Sequence, residues 1–227
     1  MNYQQAVITE DIKSRIDSLK SESINVDQEI CVERIRYLTK TYKNTIEEPM
    51  IVRRAKALKN ILENMTIFIE EGQLIAGNQA GKLRAAPMFP EYAADWMIAE
   101  IDDFSQRPAD KFSISKEARE EMLELCQWWR GRTVEDRCNA TLPEEVKAAY
   151  RMGLMSAKGN MTSGDGHIML DFPKIVTKGV KGIIEEVDNA LNAMDHTDPE
   201  SFKKRVFYQS IKIAYEGVVN FAKRYAE

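Results

Sequence analysis

The sequence is poor in the residues that most chemistry depends on. Among 227 residues there are two histidines, His167 and His196, and three cysteines, Cys31, Cys126 and Cys138. An odd cysteine count with no CxxC spacing argues against a disulfide framework and against a zinc knuckle. A reducing cytoplasm is the compartment that fits. No run of about 18 apolar residues occurs, so no membrane span is expected. The start, Met1 to Gln5, lacks a basic flank and an apolar signal core, so export is not expected either. Basic charge is not in excess: 32 Lys+Arg stand against 36 Asp+Glu, a net charge of −4, which argues against nucleic acid as a partner. Eleven glycines and seven prolines are too few for a disordered or collagen-like chain. There is no GxGxxG, and no glycine-rich loop ends in Gly-Lys-Ser/Thr, so phosphate binding by a P-loop is not expected.

What is present is a globular balance, with 44% hydrophobic and 30% charged residues. Helical spacing dominates it. Ile12, Ile16 and Leu19 share a face behind Thr9, a suitable N-cap. From Asp27 onward, Ile30, Ile35, Leu38 and Tyr42 form a second stripe. Pro49 suits a first helical turn, and Val52, Ala55, Leu58, Leu62 and Met65 follow it at helical spacing. Residues 66–69 and 73–76 are short apolar runs around Gly72, which predicts a β-ribbon over 66–76. Residues 78–90 lack periodicity and read as an ordered loop. Helix is predicted again over 91–104, and after Ser115, where Met122, Leu125, Cys126 and Trp129 align and Gly131 ends the element. Shorter helices are predicted after Thr133 and Leu142, then one from near Pro173 towards Met194, and a last one opening at Asp198-Pro199. The fold class is mainly α.

Candidate chemistry is confined to few places. His196 lies in the polar turn Asp195 to Pro199 and reads as a solvated structural residue. His167 follows Ser163-Gly164-Asp165-Gly166 and precedes the run from Ile168 to Phe172. Glycines allow close backbone approach to a ligand, and the adjoining apolar run would bury it. An imidazole there would either bond a substrate hydroxyl and move a proton, or satisfy loop carbonyls. Arg53-Arg54 could grip an anion, with a solvated or salt-bridged helix face as the plainer reading. The pair Trp128-Trp129 reads as packing. The cysteines sit at helical periodic positions, where a thiol is a small apolar filler. A nucleophilic pair of Cys126 or Cys138 with His167 is the weakest alternative.

Several segments together resemble the glycyl radical enzymes, the pyruvate formate-lyase-like family. They are residues 48–63 (EPMIVRRAKALKNILE), 67–78 (IFIEEGQLIAGN), 86–91 (APMFPE), 112–115 (FSIS), and Gly166-His167 with Asp171-Phe172, in that order. The similarity extends from about Val26 to Tyr225 and is nearest to the branch of glycerol, propanediol and hydroxyproline dehydratases. The resemblance implies the helical N-terminal portion of a β/α barrel fold, residues 1–227 forming one incomplete domain without the barrel core or the radical domain. It implies an anaerobic lyase or dehydratase that cleaves a C–O bond of a small hydroxylated substrate. In that family, an iron–sulfur activase using S-adenosylmethionine installs a glycyl radical. The radical passes to a cysteine, whose thiyl abstracts a substrate hydrogen. The Gly-His position contacts substrate, and here that is His167, where an imidazole suits a hydroxyl better than a carboxylate.

The resemblance supplies no catalytic residue in this chain. Cys31-Val32-Glu33 lacks the preceding glycine of the family's Gly-Cys-Val-Glu loop, since Ile30 stands there. Arg205-Val206-Phe207-Tyr208 lacks the glycine that would hold a radical. The chain is therefore expected to need no cofactor of its own and to be inactive alone. Its expected partners are the remaining part of the enzyme on another chain, a second copy of itself, and the activase of the complete enzyme. The alternative is a binding or oligomerising module of the same descent, without catalysis.

Overall fold

The computed structural model describes residues 9–155, 169–195 and 197–227. Helix dominates them. Helix α1 (Glu10–Asn25) is capped by Thr9, whose hydroxyl accepts from Ile12 N at 3.4 Å, and none of its residues is buried. Helices α2 (Glu33–Asn44) and α3 (Met50–Asn64) pack on each other. Pro49 occupies the cap position, one residue before the helix it introduces.

Between α1 and α2 the expected helix start at Asp27 is replaced by strand β1 (Glu29–Cys31). It pairs in parallel with β2 (Ala85–Pro87), Ile30 opposite Ala86. Distant backbone takes the groups a helix would have used. Glu29 N donates to Arg84 O at 2.9 Å, Ile30 N to Ser113 O at 2.9 Å, and Ser113 N to Gln28 O at 2.8 Å. A short apolar run does not distinguish strand from buried helix, and tertiary partners decided it here.

The β-ribbon predicted over 66–76 is therefore corrected: the two-stranded sheet lies elsewhere, and 66–76 carries no strand. The turn at Gly72 does form, at φ 79°. Side chains replace the expected ladder. Gln73 accepts from Glu70 N at 3.0 Å and donates to Ile75 O at 2.7 Å, and Asn78 donates to Thr66 O at 3.0 Å. Leu74 and Ile75 point outward, 79% and 82% exposed, so no core face rewards an alternating strand.

The helix expected over 91–104 shrinks to α4 (Asp95–Glu100) and a 3₁₀ turn at Phe104–Gln106. The carbonyls of Glu91 and Tyr92 are taken by Val134 N (3.0 Å) and Glu135 N (2.9 Å), so they cannot begin a helix. Helix α5 (Lys116–Trp129) is capped by Ser115 and followed by Gly131 at φ 76°. Helix α6 (Val134–Thr141) opens with a complete capping box between Thr133 and Asp136, and α7 (Glu144–Arg151) follows. Helix α8 (Phe172–Asn192) is interrupted at Gly179 (φ 68°, ψ 165°), and α9 (Pro199–Ala226) is capped by Asp198.

The core lies where α2, α4 and α5 meet the small sheet. Ile35, Leu38, Met97, Phe104, Met122, Cys126 and Trp129 fill it. Trp129 stands 5.1 Å from the Tyr42 ring, and its indole N–H donates to Thr39 Oγ1 at 2.8 Å. Thr39 in turn donates to Ile35 O at 2.6 Å, so the polar atoms inside the core are paired.

Helix α9 closes the other side of α3. A Cβ at Gly217 would stand 2.8 Å from Lys59 Cα, so glycine is what lets the two helices approach. Around that contact, Lys59 pairs with Glu216 at 2.8 Å and Asn220 donates to Glu63 at 2.6 Å. Arg224 donates to Leu62 O and Met65 O, both at 2.7 Å, giving a cation to the carbonyl end of α3.

Candidate functional site

His167 and His196 both lie outside the described residues, as does the stretch 156–168 that holds most of the glycine-rich loop. The two flanks of that stretch are described. Before it, α7 ends at Arg151 and the chain turns at Gly153 with φ 74°. After it, Asp171 caps α8 by accepting from Lys174 N at 3.1 Å. The apolar residues on these flanks are exposed. Met169 is 87% exposed and Val176 82%, and Met152, Leu154, Leu170 and Phe172 are exposed too.

A cleft of about 610 Å³ lies between α2, α3 and residues 78–92. Leu38, Ala57, Leu58, Ile61 and Met65 form much of its wall. Its polar centre is Arg34 and Glu91. The guanidinium grips the carboxylate with both nitrogens, at 2.5 and 3.1 Å, and bonds Met88 O at 2.9 Å. The same guanidinium lies 3.8 Å from the Phe89 ring centre. The two side chains are only 19% and 14% exposed, so the pair pins the 86–91 segment against α2. Tyr42 lies at the far end, with Arg53 stacked 4.6 Å from its ring and donating to its carbonyl at 3.0 Å. Burial pushes the Tyr42 hydroxyl above its ordinary range, opposed in part by Arg54.

Sequence reasoning did not single out Arg34 or Glu91. They stand 57 residues apart, and Glu91 closes the quoted 86–91 segment. No local pattern links an arginine on one helix to a glutamate in a distant loop.

Cys126 and Cys31 are not arranged for nucleophilic work. Cys126 is buried in the core, and burial pushes its thiol up to about 12. Cys31 ends β1, and its sulfur faces Gly81 N at 3.5 Å. Glu33, two residues on, accepts from Thr66 N at 2.8 Å and Thr66 Oγ1 at 2.5 Å. Cys31-Val32-Glu33 is thus a structural junction between β1, α2 and the loop after α3. Among the described residues, no group of three or more His, Cys, Asp or Glu is placed to hold a metal ion, and no helix is long and apolar enough to cross a membrane.

The profile of the pyruvate formate lyase-like family matches residues 8–227. The chain is 39% identical to the probable dehydratase YbiW of Escherichia coli over 216 residues, 95% of this chain and 27% of that protein. It is 32% identical to (2S)-3-sulfopropanediol dehydratase of Klebsiella oxytoca over 218 residues, 94% of this chain and 26% of that one. Among solved structures, the glycerol-bound B12-independent glycerol dehydratase of Clostridium butyricum superposes with a TM-score of 0.89 at 32% identity, covering 94% of this chain and 27% of that one. The chain therefore spans about a quarter of the length of the relatives it matches. The helices around the Arg34–Glu91 clamp are the mainly α, N-terminal portion of the glycyl radical enzyme fold, and this chain belongs to the pyruvate formate lyase-like family.

Proposed function

We propose that this chain serves as the N-terminal section of a glycyl radical lyase or dehydratase, one incomplete domain that cannot turn over substrate alone. The observation that carries the reading is the coverage: nearly all of this chain matches the dehydratases, yet it spans only 27% of their length. Neither the Gly-Cys-Val-Glu loop nor a glycine in the Arg205 to Tyr208 segment is present in its sequence. The substrate class is a small hydroxylated molecule, opened by radical C–O cleavage, in keeping with the diol and hydroxyproline dehydratases among its relatives. In this reading His167 gives the substrate a hydroxyl-binding imidazole. The thiyl cysteine, the radical glycine and the contacts that choose the substrate come from the other part. The setting is an anaerobic, reducing cytoplasm, and an S-adenosylmethionine-dependent activase is the partner of the complete enzyme.

Two experiments test this. Incubated with an activase and S-adenosylmethionine, the 227-residue chain should give no glycyl doublet in electron paramagnetic resonance, and a doublet would overturn the reading. A chimera with this chain in place of the matching quarter of the glycerol dehydratase should accept the radical and dehydrate glycerol. There, His167→Ala should raise KM by about tenfold, the value of a hydrogen bond of about 1.4 kcal/mol. An unchanged KM would remove His167 from the site.

A second reading is a partner-binding module without catalysis. The uncovered apolar residues on both flanks of 156–168 favour it. It predicts self-association or capture of a second chain, and a strictly monomeric chain that binds no C-terminal part of a relative would rule it out.

A further inference from the structure

Next to the cleft lies a smaller pocket of about 230 Å³, which shares Tyr42, Arg54 and Glu91 with it. Its lining is largely apolar, and three arginines supply most of its polar groups. Arg54 comes from α3, Arg132 from the turn after α5, and Arg137 from α6. Two parts of the chain distant in sequence, α3 and the stretch 132–137, thus bring arginines to one small space.

These arginines, like Arg53, differ from five others in the chain. Arg34, Arg36, Arg107, Arg119 and Arg130 each hold a carboxylate. Among the described residues, Arg54, Arg132 and Arg137 take part in none of the ion pairs. Glu91 also lines the pocket, but Arg34 already occupies both of its oxygens from the cleft side. Arg132 is held in place from behind. Its Nη1 donates to Trp128 O at 2.8 Å and Arg130 O at 3.2 Å, and its guanidinium lies 5.0 Å from the Trp128 ring. That leaves its remaining N–H donors for another acceptor. Arg54 rests against the Tyr42 hydroxyl.

Three like charges around one space repel, and an anion converts that repulsion into charge-assisted hydrogen bonds. The directions matter as much as the charge. A carboxylate presents two oxygens in one plane, whereas a tetrahedral oxyanion presents acceptors to donors arriving from several sides. We infer that the Arg54–Arg132–Arg137 pocket binds a small tetrahedral oxyanion of the phosphate class, free in solution. The inference does not depend on the proposed radical function.

The test is titration calorimetry of the 227-residue chain with inorganic phosphate at low ionic strength, with acetate as the carboxylate arm. Phosphate should bind saturably at one site per chain, and acetate at least about tenfold more weakly. Arg137→Gln and Arg54→Gln should each weaken phosphate about tenfold or more, as loss of a charge-assisted hydrogen bond requires. Arg137→Lys, which keeps the charge but not the fork, should fall between. Lys203→Gln removes the same charge from an exposed position on α9 and should leave binding unchanged. Absence of saturable phosphate binding, equal affinity for acetate, or equal weakening by Lys203→Gln would each overturn the assignment. Arg137 is exposed and makes no side-chain hydrogen bond among the described residues, so its variants should melt like the parent and remain interpretable.

Discussion

The part of the molecule built on α2, α3, α5 and α9 and the part that flanks residues 156–168 use apolar residues in opposite ways. In the first, Ile35, Met122 and Cys126 are fully buried, and even the helix ends are satisfied, as where Arg224 bonds the last carbonyls of α3. In the second, Met169, Val176, Leu154 and Phe172 are mostly exposed. A chain that buried its apolar surface evenly would show no such division. The first region encloses a core of its own, although Phe202 and Phe207 on α9 stay exposed, and the second leaves its apolar residues uncovered without such a core.

That contrast is broken most severely at Trp129. It is 2% exposed, packs on Tyr42 and Trp128, and donates to Thr39. Trp129→Ala should destabilise the chain by about 3–5 kcal/mol, through lost burial and the cavity left behind. Trp129→Phe keeps much of the volume and loses the hydrogen bond, so it should cost distinctly less. Urea unfolding of both variants checks this. Equal losses would mean that the hydrogen bond, not the packing, sets the stability of the core. Gly217→Ala comes next. The new methyl would meet the Lys59 backbone, and overpacking of that kind typically costs about 1–3 kcal/mol. An unchanged midpoint would show that α9 can slide on α3, and that this side is less finished than it looks.

How much of this was legible in the sequence depended on how local the cause was. Caps were legible because side chain and partner are three residues apart, as with Thr9, Ser115 and Thr133. The family was legible from the order of several short segments. Three features were not. Glu29 and Ile30 became a strand because the carbonyls of Arg84 and Ser113 supplied their partners. The 66–76 segment gave up its strands because Gln73 and Asn78 bonded its backbone and no core lay beneath it. The arginine pocket drew on α3 and the distant stretch 132–137, so the Arg53-Arg54 pair showed only one of its members. The neighbours also divided that pair, Arg53 stacking on Tyr42 and Arg54 turning to the pocket.

Cys126 sharpens the comparison through pH. Burial raises its thiol from the ordinary 9.0 to about 12. The folded state therefore favours the protonated thiol. This contribution is whole below pH 9.0, and is lost as pH rises from there towards about 12. Within that window, stability should fall by up to about 1.4 kcal/mol per pH unit from this group. Tyr42, also raised by burial, acts in the same direction at higher pH. Cys126→Ala should flatten the first part of the slope in urea midpoints measured between pH 8 and about 11. A slope that survives the substitution would assign the alkaline loss elsewhere.

The smallest effect on stability is expected on the uncovered side. Val176 is 82% exposed on the first turns of α8, so Val176→Ser should change the unfolding free energy by no more than about 0.5 kcal/mol. Its effect should appear in association instead. If the apolar flanks of 156–168 are what a partner or a second copy covers, Val176→Ser together with Met169→Ser should weaken self-association or capture of a relative's C-terminal part, at unchanged melting temperature. Sedimentation velocity and melting curves on the same samples separate the two. A variant that melts early would mean that the chain itself covers this surface, and the division between a finished and an unfinished side would be lost. A variant that melts normally and associates as before would leave the division standing and move the docking surface elsewhere, with exposed Leu74 and Ile75 as the next residues to replace.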